Sequence, residues 1–266
     1  MENLPKNNEN IGHLHPITIL SSKIINIFTK MGFDVADGRE LEREWFNFDA
    51  LNVPKDHPSR DMQDTFFLKL KEDEKFGKAV LRTHTSSVQI RYMTEKAKEI
   101  IEGKIKENDA FPVAIICPGK VYRNEATDAT HEAQFHQVEG LLVGENISMA
   151  NLKAVLEKFF SEFFSKDIDV LFRSSYFPFV EPGLEVAMKC FKCDGKGCNI
   201  CKNTGYIEIM GAGMVHPKVL ENCGIDSRKY SGFAFGCGID RLAMLKYGLD
   251  DIRLLYNGDL RVINQF

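Results

Sequence analysis

The sequence has no apolar run long enough to cross a bilayer, and no charged n-region followed by an apolar stretch at Met1. Neither a membrane protein nor a secreted one is expected, and the cytoplasm is the expected location. It also lacks a surplus of positive charge. Lys and Arg number 34 against 38 Asp and Glu, a formal net charge of -4, so bulk positive field does not hold nucleic acid here. Any RNA contact is local or supplied by a partner. Neither GxxxxGK[ST] nor GxGxxG occurs, which leaves nucleotide binding by the common glycine-rich loops unsupported. No internal repeat and no strong linker divides the chain. At 266 residues with 44% hydrophobic and 27% charged content, the expectation is one large globular domain with an insertion.

Cysteine is unevenly spread. Of seven, four fall between Cys190 and Cys201. "KCFKCDGKGCNICKNTG" places Cys190, Cys193, Cys198 and Cys201 as C-x2-C-x4-C-x2-C, with Gly195, Gly197 and Gly205 available for tight turns. Four thiols at this density suit a tetrahedral Zn2+, with no open position, hence a structural role. Reduced thiols left from a lost site, or a disulfide pair, are the competing readings. The segment lies between "LEVAMK" and "YIEIMG", so it tips a hairpin.

Along the chain, residues 1–14 are Asn-rich and polar and read as a disordered segment before a domain spanning 15–266. Ile17, Leu20, Ile24, Ile27, Phe28 and Met31 repeat at helical spacing up to Gly32. "FDVADGRELEREWFNFDALNVPKDHPSRD" reads as a short strand and an extended segment closed by Pro54 and Pro58. A second helix starts near Ser86 and a third spans about Ser148 to Lys166, both with apolar stripes that read as core. "VLFRS", "FPFVEP", "LEVAMK", "YIEIMGAG" and "SGFAFG" read as strands, and a last helix runs from Gly238 to Gly248. Short connections between the strands predict an α+β fold: a mainly antiparallel sheet flanked by helices, with a small four-cysteine hairpin insertion.

"GKVYRNEATDATHEAQFHQVEG", from Gly119 to Gly140, sets charged and amide residues between two apolar runs. Period-2 alternation puts Val121, Arg123 and Glu125 on one face of a strand and Phe135, Gln137 and Glu139 on one face of the next. Charged groups are costly inside a sheet unless paired or met by a ligand. Arg241 opens a helix after "GFAFGCGID", where small residues let a ligand approach and a helix N-terminus favours anions. Two arginines that can fork onto phosphate oxygens suggest a phosphate on a sheet surface. In "YFPFVEPG", Phe177, Phe179 and Glu181 share parity, so two rings and a carboxylate line either core or a pocket for an aromatic amine. Trp45, Phe46, Phe48, Phe66 and Phe67 fit a subunit interface or local core equally well.

These stretches, with "RTHTSSVQIRYM" and "YSGFAFGCGIDRLAMLKYG", resemble the class II aminoacyl-tRNA synthetases. More narrowly, they are similar to the catalytic alpha subunits of the bacterial phenylalanine enzymes, from about His15 to Phe266. The resemblance implies a ligase that activates L-phenylalanine with ATP, releasing pyrophosphate, and then loads phenylalanine tRNA. It implies that Arg123 holds the α-phosphate, that Glu125 and His131 contact adenine and the outer phosphates, and that Phe135 stacks on adenine. Arg241 falls on the γ-phosphate side, and the two arginines carry the catalysis. For phenylalanine, His84, Ser86, Gln137 and Glu139 meet the ammonium. Phe177 and Phe179 sandwich the ring, and Val180, Ala234 and Gly236 close its far end. Glu181 is the implied Mg2+ ligand, near the border with a beta subunit in an assembly of two alpha and two beta chains.

The sequence departs from the family twice. Fourteen residues precede His15 where the family has a long helical arm that contacts tRNA, and Asp240 stands before the second arginine where the family has Glu. The competing readings are a free-standing synthetase paralogue that loads another acceptor or regulates without catalysis, and a zinc-ribbon binding module. The insertion is too small a share of the chain to favour the last.

Overall fold

The computed structural model describes residues 12–165, 167–199 and 201–266. Most of the segment expected to be disordered therefore lies outside the described residues. At its inner end the His13 ring bonds the Phe266 carbonyl, Nδ1 to O 2.7 Å.

Helix α1 (Pro16–Lys30) starts at His15, whose ring nitrogen accepts the Ile17 N–H, with Pro16 in the first turn, where its missing N–H costs nothing. The buried stripe Ile17, Leu20, Ile24, Ile27 and Phe28 follows helical spacing, and Gly32 at φ 89 supplies the left-handed turn that ends it. Then come β1 (Asp34–Val35), β2 (Leu41–Arg43), α2 (Glu44–Asn47), β3 (Phe67–Asp73), β4 (Gly77–Leu81), α3 (Ser86–Ile101), α4 (Glu107–Ala110), β5 (Val113–Tyr122) and β6 (Gln134–Gly144). A capping box of Ser148 and Asn151 starts α5 (Met149–Phe164). The remainder is β7 (Val170–Phe177), β8 (Val180–Lys189), β9 (Tyr206–Val215), α6 (Pro217–Asn222), β10 (Ser231–Gly238), α7 (Ile239–Tyr247), a 3-10 turn at Ile252–Leu255 and α8 (Leu260–Ile263).

Seven strands form one sheet in the order β1-β5-β6-β10-β9-β8-β7, antiparallel throughout except for the β1–β5 pair. This is the α+β fold expected from the short connections, with the cysteine segment at the tip of the β8–β9 hairpin. Alternation along β10 shows how the sheet divides its faces. Phe233, Phe235 and Cys237 enter the core with α1, α5 and α7, while Ala234 belongs to the opposite side with α3 and α6. Phe28 anchors the first core, stacked on Phe159 at 4.9 Å and on Phe235 at 5.2 Å between ring centres. One face is thus filled by aromatic packing, and the other keeps room for a site.

The region before α3 departs from the extended segment expected there. Glu44–Asn47 and Asp49–Leu51 are helical turns, and β2, β4 and β3 make a second, three-stranded sheet that periodicity did not single out. The turns end at Asn52, which takes the left-handed conformation (φ 59) that its short amide tolerates, so local turn chemistry rather than Pro54 stops the segment. Its aromatics are chiefly local core. Phe46 and Phe48 are buried, and Trp45, packed edge-on to Phe46, stays half-buried with Phe66 and Phe67. The tight turns of 44–51 bring Trp45 and Phe46 into contact, the local-core packing that was one of the two expectations.

Candidate active site

A cavity of about 720 Å³ opens on the second face. Strands β6, β10 and β9 give its floor, residues 48–64 and the start of α3 one wall, and the β7–β8 turn another. The floor depends on two glycines. A Cβ on Gly236 would lie 2.7 Å from Glu139 Cγ, and one on Gly211 would lie 3.1 Å from the Phe177 ring. One end of the cavity is apolar, with Leu51, Met93, Leu141, Val215, Val219 and Ala234 on its walls.

Beside that end lies a carboxylate with its hydrogen bonds already made. Glu139 is 7% exposed; its oxygens accept the Thr85 N–H at 3.0 Å, the Ser86 hydroxyl at 2.5 Å and the Gln89 amide at 3.4 Å. Burial raises its pKa, and the Ser86 and Thr85 bonds and the charges of Arg123 and Arg82 oppose the rise. The neighbouring Gln137 Oε1 and His84 Nδ1 are buried without a hydrogen-bond partner, and both residues line the cavity. Burial, helped by the Arg123 charge, lowers the His84 pKa to about 4, so its ring is neutral at pH 7. Two acceptors, Glu139 and the unmatched Gln137 oxygen, beside an apolar chamber make a site for a cationic donor on an apolar body.

The opposite end is cationic. The Arg123 guanidinium lies over the Phe135 ring at 5.0 Å and 4.0 Å from the Glu125 carboxylate, and its side chain is 40% exposed. Strand β5 stops at Tyr122, so Arg123 and Glu125 are not on one strand face with buried Val121. One further bond, Arg123 N–H to the Ala133 carbonyl, holds the base of the loop, and the Asp128 and Glu132 carboxylates then accept the loop's own backbone N–H groups instead of a ladder. His131 sits in that loop, its ring on Asp128 at 3.0 Å, outside the cavity wall. Arg241, in the first turn of α7, is half-buried. Burial lowers its pKa, and among the described residues it forms no ion pair. Neither Phe135 nor Arg241 lines the cavity.

Two assignments change around the β7–β8 turn. Phe177 pairs with Val180 across the hairpin, so Pro178 and Phe179 form the turn and Phe177 and Phe179 do not share a strand. Proline has no N–H to give a ladder, which favours the turn there. The rings still meet, stacked at 5.9 Å and 22°. A third ring between them needs about 7 Å, twice an aromatic contact distance, so they form one wall rather than a sandwich. Glu181, beyond the turn, has a side chain that is 77% exposed and 3.4 Å from His216 Nε2, off the cavity wall. Its shared parity with Phe177 and Phe179 lost its meaning once the chain turned between them. His84, Ser86, Gln137, Glu139, Val180, Ala234 and Gly236 are all brought to the cavity.

Sequence reading missed Gln89, the Thr85 N–H, and the walls Phe48, Met93 and Val219. Gln89 left one signal, an amide at a buried position of an amphipathic helix. The others come from elements that meet only in the fold.

At the β8–β9 tip the sulfurs of Cys190, Cys193, Cys198 and Cys201 all lie within 4.8 Å of one another. Three of the separations are 3.7 to 3.8 Å. A tetrahedron of thiolates about 2.3 Å from zinc has edges of about 3.8 Å. The N–H groups of Gly197, Cys198 and Gly205 point at these sulfurs at 3.1 to 3.3 Å, as thiolate acceptors require. The group can hold a metal ion.

The sequence matches the family described as tRNA synthetases class II core domain (F) over residues 2–266. It is 51% identical over 263 residues to the Phenylalanine--tRNA ligase alpha subunit of Staphylococcus carnosus, covering 99% of this chain and 70% of the relative. It is 52% identical to the protein of the same name from Streptococcus agalactiae, covering 99% of this chain and 71% of that one. With the Aquifex aeolicus protein it shares 52% identity over 256 residues, 96% of this chain and 70% of the relative.

Proposed function

The chain belongs to the class II tRNA synthetase core family, and from that premise we propose that it is a catalytic alpha chain that activates L-phenylalanine with ATP and loads it onto phenylalanine tRNA. One observation carries the choice of amino acid: an apolar chamber beside two cavity-facing acceptors, Glu139 and the unmatched Gln137 oxygen. A phenyl ring fills the chamber against Phe177, Phe179, Val180 and Ala234, and the ammonium meets Gln137 and Glu139. Ser86 holds Glu139 by its hydroxyl, and both Ser86 and the His84 ring face the ammonium from the cavity wall.

The phenylalanine carboxylate then points toward the arginine end. One of its oxygens forms a bond to the α-phosphorus of ATP while the bond from that phosphorus to the bridging oxygen breaks, so pyrophosphate leaves with the electron pair. Arg123 stabilises charge on the α-phosphate and Arg241 on the outer phosphates. Glu125, His131 and Phe135 hold the adenine side. Position and charge stabilisation do the work, and no side chain needs to carry a proton. In the second half-reaction the terminal ribose hydroxyl of the tRNA attacks the phenylalanyl carbonyl, the bond from that carbonyl to the phosphate oxygen breaks, and AMP leaves with the hydroxyl proton on its phosphate.

Class II synthetases use Mg2+ with ATP, and when bound it neutralises phosphate charge. Glu181 would hold it. A hard cation that keeps most of its waters needs only one or two carboxylates, so this single exposed group fits as a donor, with the rest from phosphate and water. The four-cysteine group would hold Zn2+ in a structural role, at about one per chain by metal analysis of protein purified without chelator. Absence of zinc from fully reduced protein would remove that assignment. The assembly is two alpha and two beta chains, in the cytoplasm.

The test is ATP–pyrophosphate exchange with each amino acid in turn, with and without a beta subunit. Exchange should be specific for phenylalanine, and tRNA charging should need the partner. Exchange with another amino acid, or equal charging by the chain alone, would favour a free-standing paralogue instead.

A further inference from the structure

The segment from Ile252 to Tyr256 has no part in the chemistry above, yet it touches four pieces of the site's framework. The Ile252 N–H donates to the Ala129 carbonyl at 2.9 Å, inside the loop between β5 and β6 that begins with Arg123. The Tyr256 hydroxyl donates to Oδ1 of Asp240, the residue before Arg241. Oδ2 of Asp240 accepts the His136 backbone N–H of β6 at 2.7 Å, and the His136 ring lies 3.1 Å from the Tyr256 oxygen. With the hydroxyl given to Asp240, the ring Nδ1 is the donor in that last bond. The carbonyl of Leu255 accepts from His15 Nε2 at 2.9 Å, at the start of α1.

Asp240 is 2% exposed. A buried carboxylate held by a hydroxyl and an N–H fixes the groups that hold it, because loss of either leaves an unmatched oxygen. Here those groups come from the turn and from β6, and the carboxylate sits on the first turn of α7. One short segment therefore links the helix that carries Arg241 to the loop that carries Arg123. It does not reach the other end of the cavity. His136 alternates with Gln137 along β6, so its ring faces away from the ammonium acceptors.

We propose that residues 252–256 form a clasp that sets the spacing of Arg241 and Arg123, with Tyr256 and Asp240 as positioning residues for the ATP half of the reaction. This rests on the function proposed above. Misplacing a charge-stabilising group by about 1 Å costs on the order of a hundredfold in rate, so a lost clasp is visible in kinetics even where the fold survives. The effect is selective, because the clasp bears on both arginines and on no wall of the phenylalanine chamber.

The experiment measures ATP–pyrophosphate exchange by the chain assembled with its beta subunit, comparing the unmodified protein with Tyr256→Phe and Asp240→Asn. Tyr256→Phe keeps the ring and removes the donor. Asp240→Asn keeps an acceptor and removes the charge. Expected are a rise of about tenfold in KM for ATP or an equal fall in kcat, with KM for phenylalanine unchanged within twofold. The rank is Asp240→Asn at least as severe as Tyr256→Phe, since the amide oxygen can accept only one of the two donors and its N–H₂ then faces the other. Equal rises in both KM values, or a lowered Tm in both variants without an ATP-selective change, would overturn the clasp. Failure of the unmodified complex to exchange with phenylalanine would overturn the functional reading instead, so the two failures are separable.

Discussion

The two ends of the cavity are prepared differently. At the chamber end the polar group is already matched: Glu139 accepts from Thr85, Ser86 and Gln89 while almost wholly buried. At the cationic end Arg123 is 40% exposed, with its nearest carboxylate 4.0 Å away, and off the cavity wall Arg241 forms no ion pair among the described residues. On the proposed function, the difference follows from what each end would bind. An amino acid must be told from its near relatives, which a firmly held carboxylate beside an open acceptor, the Gln137 oxygen, provides. A triphosphate would bring several negative charges, and weakly paired guanidinium groups leave room for it. Under that reading selectivity is built in before the ligand, and charge stabilisation waits for it.

The sharpest way to break this contrast is to remove a cation. Arg241→Ala should lower kcat for pyrophosphate exchange by about 10² to 10³ while leaving phenylalanine binding, measured without ATP, unchanged. A matching loss of phenylalanine affinity would mean that the two ends are not separate. Glu139→Gln should act in the opposite way. It removes the charge that the ammonium meets and sets an amide N–H₂ against donors, so KM for phenylalanine should rise about 30-fold with KM for ATP nearly fixed. Steady-state exchange with each substrate varied in turn would read both.

His84 joins the two ends, since it lines the chamber and feels the Arg123 charge. Its pKa in the folded chain is about 4, against about 6.5 unfolded. The unfolded chain therefore binds the extra proton between those values, and folding stability falls as pH drops from 6.5 to 4. The loss reaches at most about 3 kcal/mol, from roughly 1.4 kcal/mol per pH unit. Urea unfolding at a series of pH values, with His84→Gln as the control, should show the slope in the parent and a smaller one in the variant. The least effect concerns the chamber wall. Ala234→Gly removes one methyl and should raise activation of para-chlorophenylalanine about tenfold relative to phenylalanine. An unchanged ratio in exchange would move Ala234 off the far end of the ring.

Much of this contrast was legible before any coordinates. Alternation along "QFHQVEGLL" put Gln137 and Glu139 on one face, and the cavity contains both. Helical spacing found α1, α3 and α5, and the cysteine spacing found a group whose sulfurs meet. What failed was parity carried across a turn. Phe177, Phe179 and Glu181 looked like one face because the ladder was assumed to continue through Pro178, and the hairpin ended that face after Phe177. The aromatics at 45–48 read as core or interface alike, and here too a local turn decided where the rings went. Their helical turns fold them inward, and composition does not record which way a short turn points.

By itself the sequence determined the periods: which helices have apolar stripes, which strands alternate, where the four thiols can gather, and which charged residues sit where a buried surface should be. Those follow from neighbours along the chain, where side-chain direction is set by 3.6 or 2 residues per repeat. Only the tertiary structure decided which of these faces meet. Glu139 is a buried carboxylate because α3 brings Thr85, Ser86 and Gln89 to β6 from 50 to 54 residues away, and Asp240 is held because Tyr256 folds back on α7. A hydrogen bond needs its partners within about 3 Å, and no local period fixes the distance between elements so far apart in the chain.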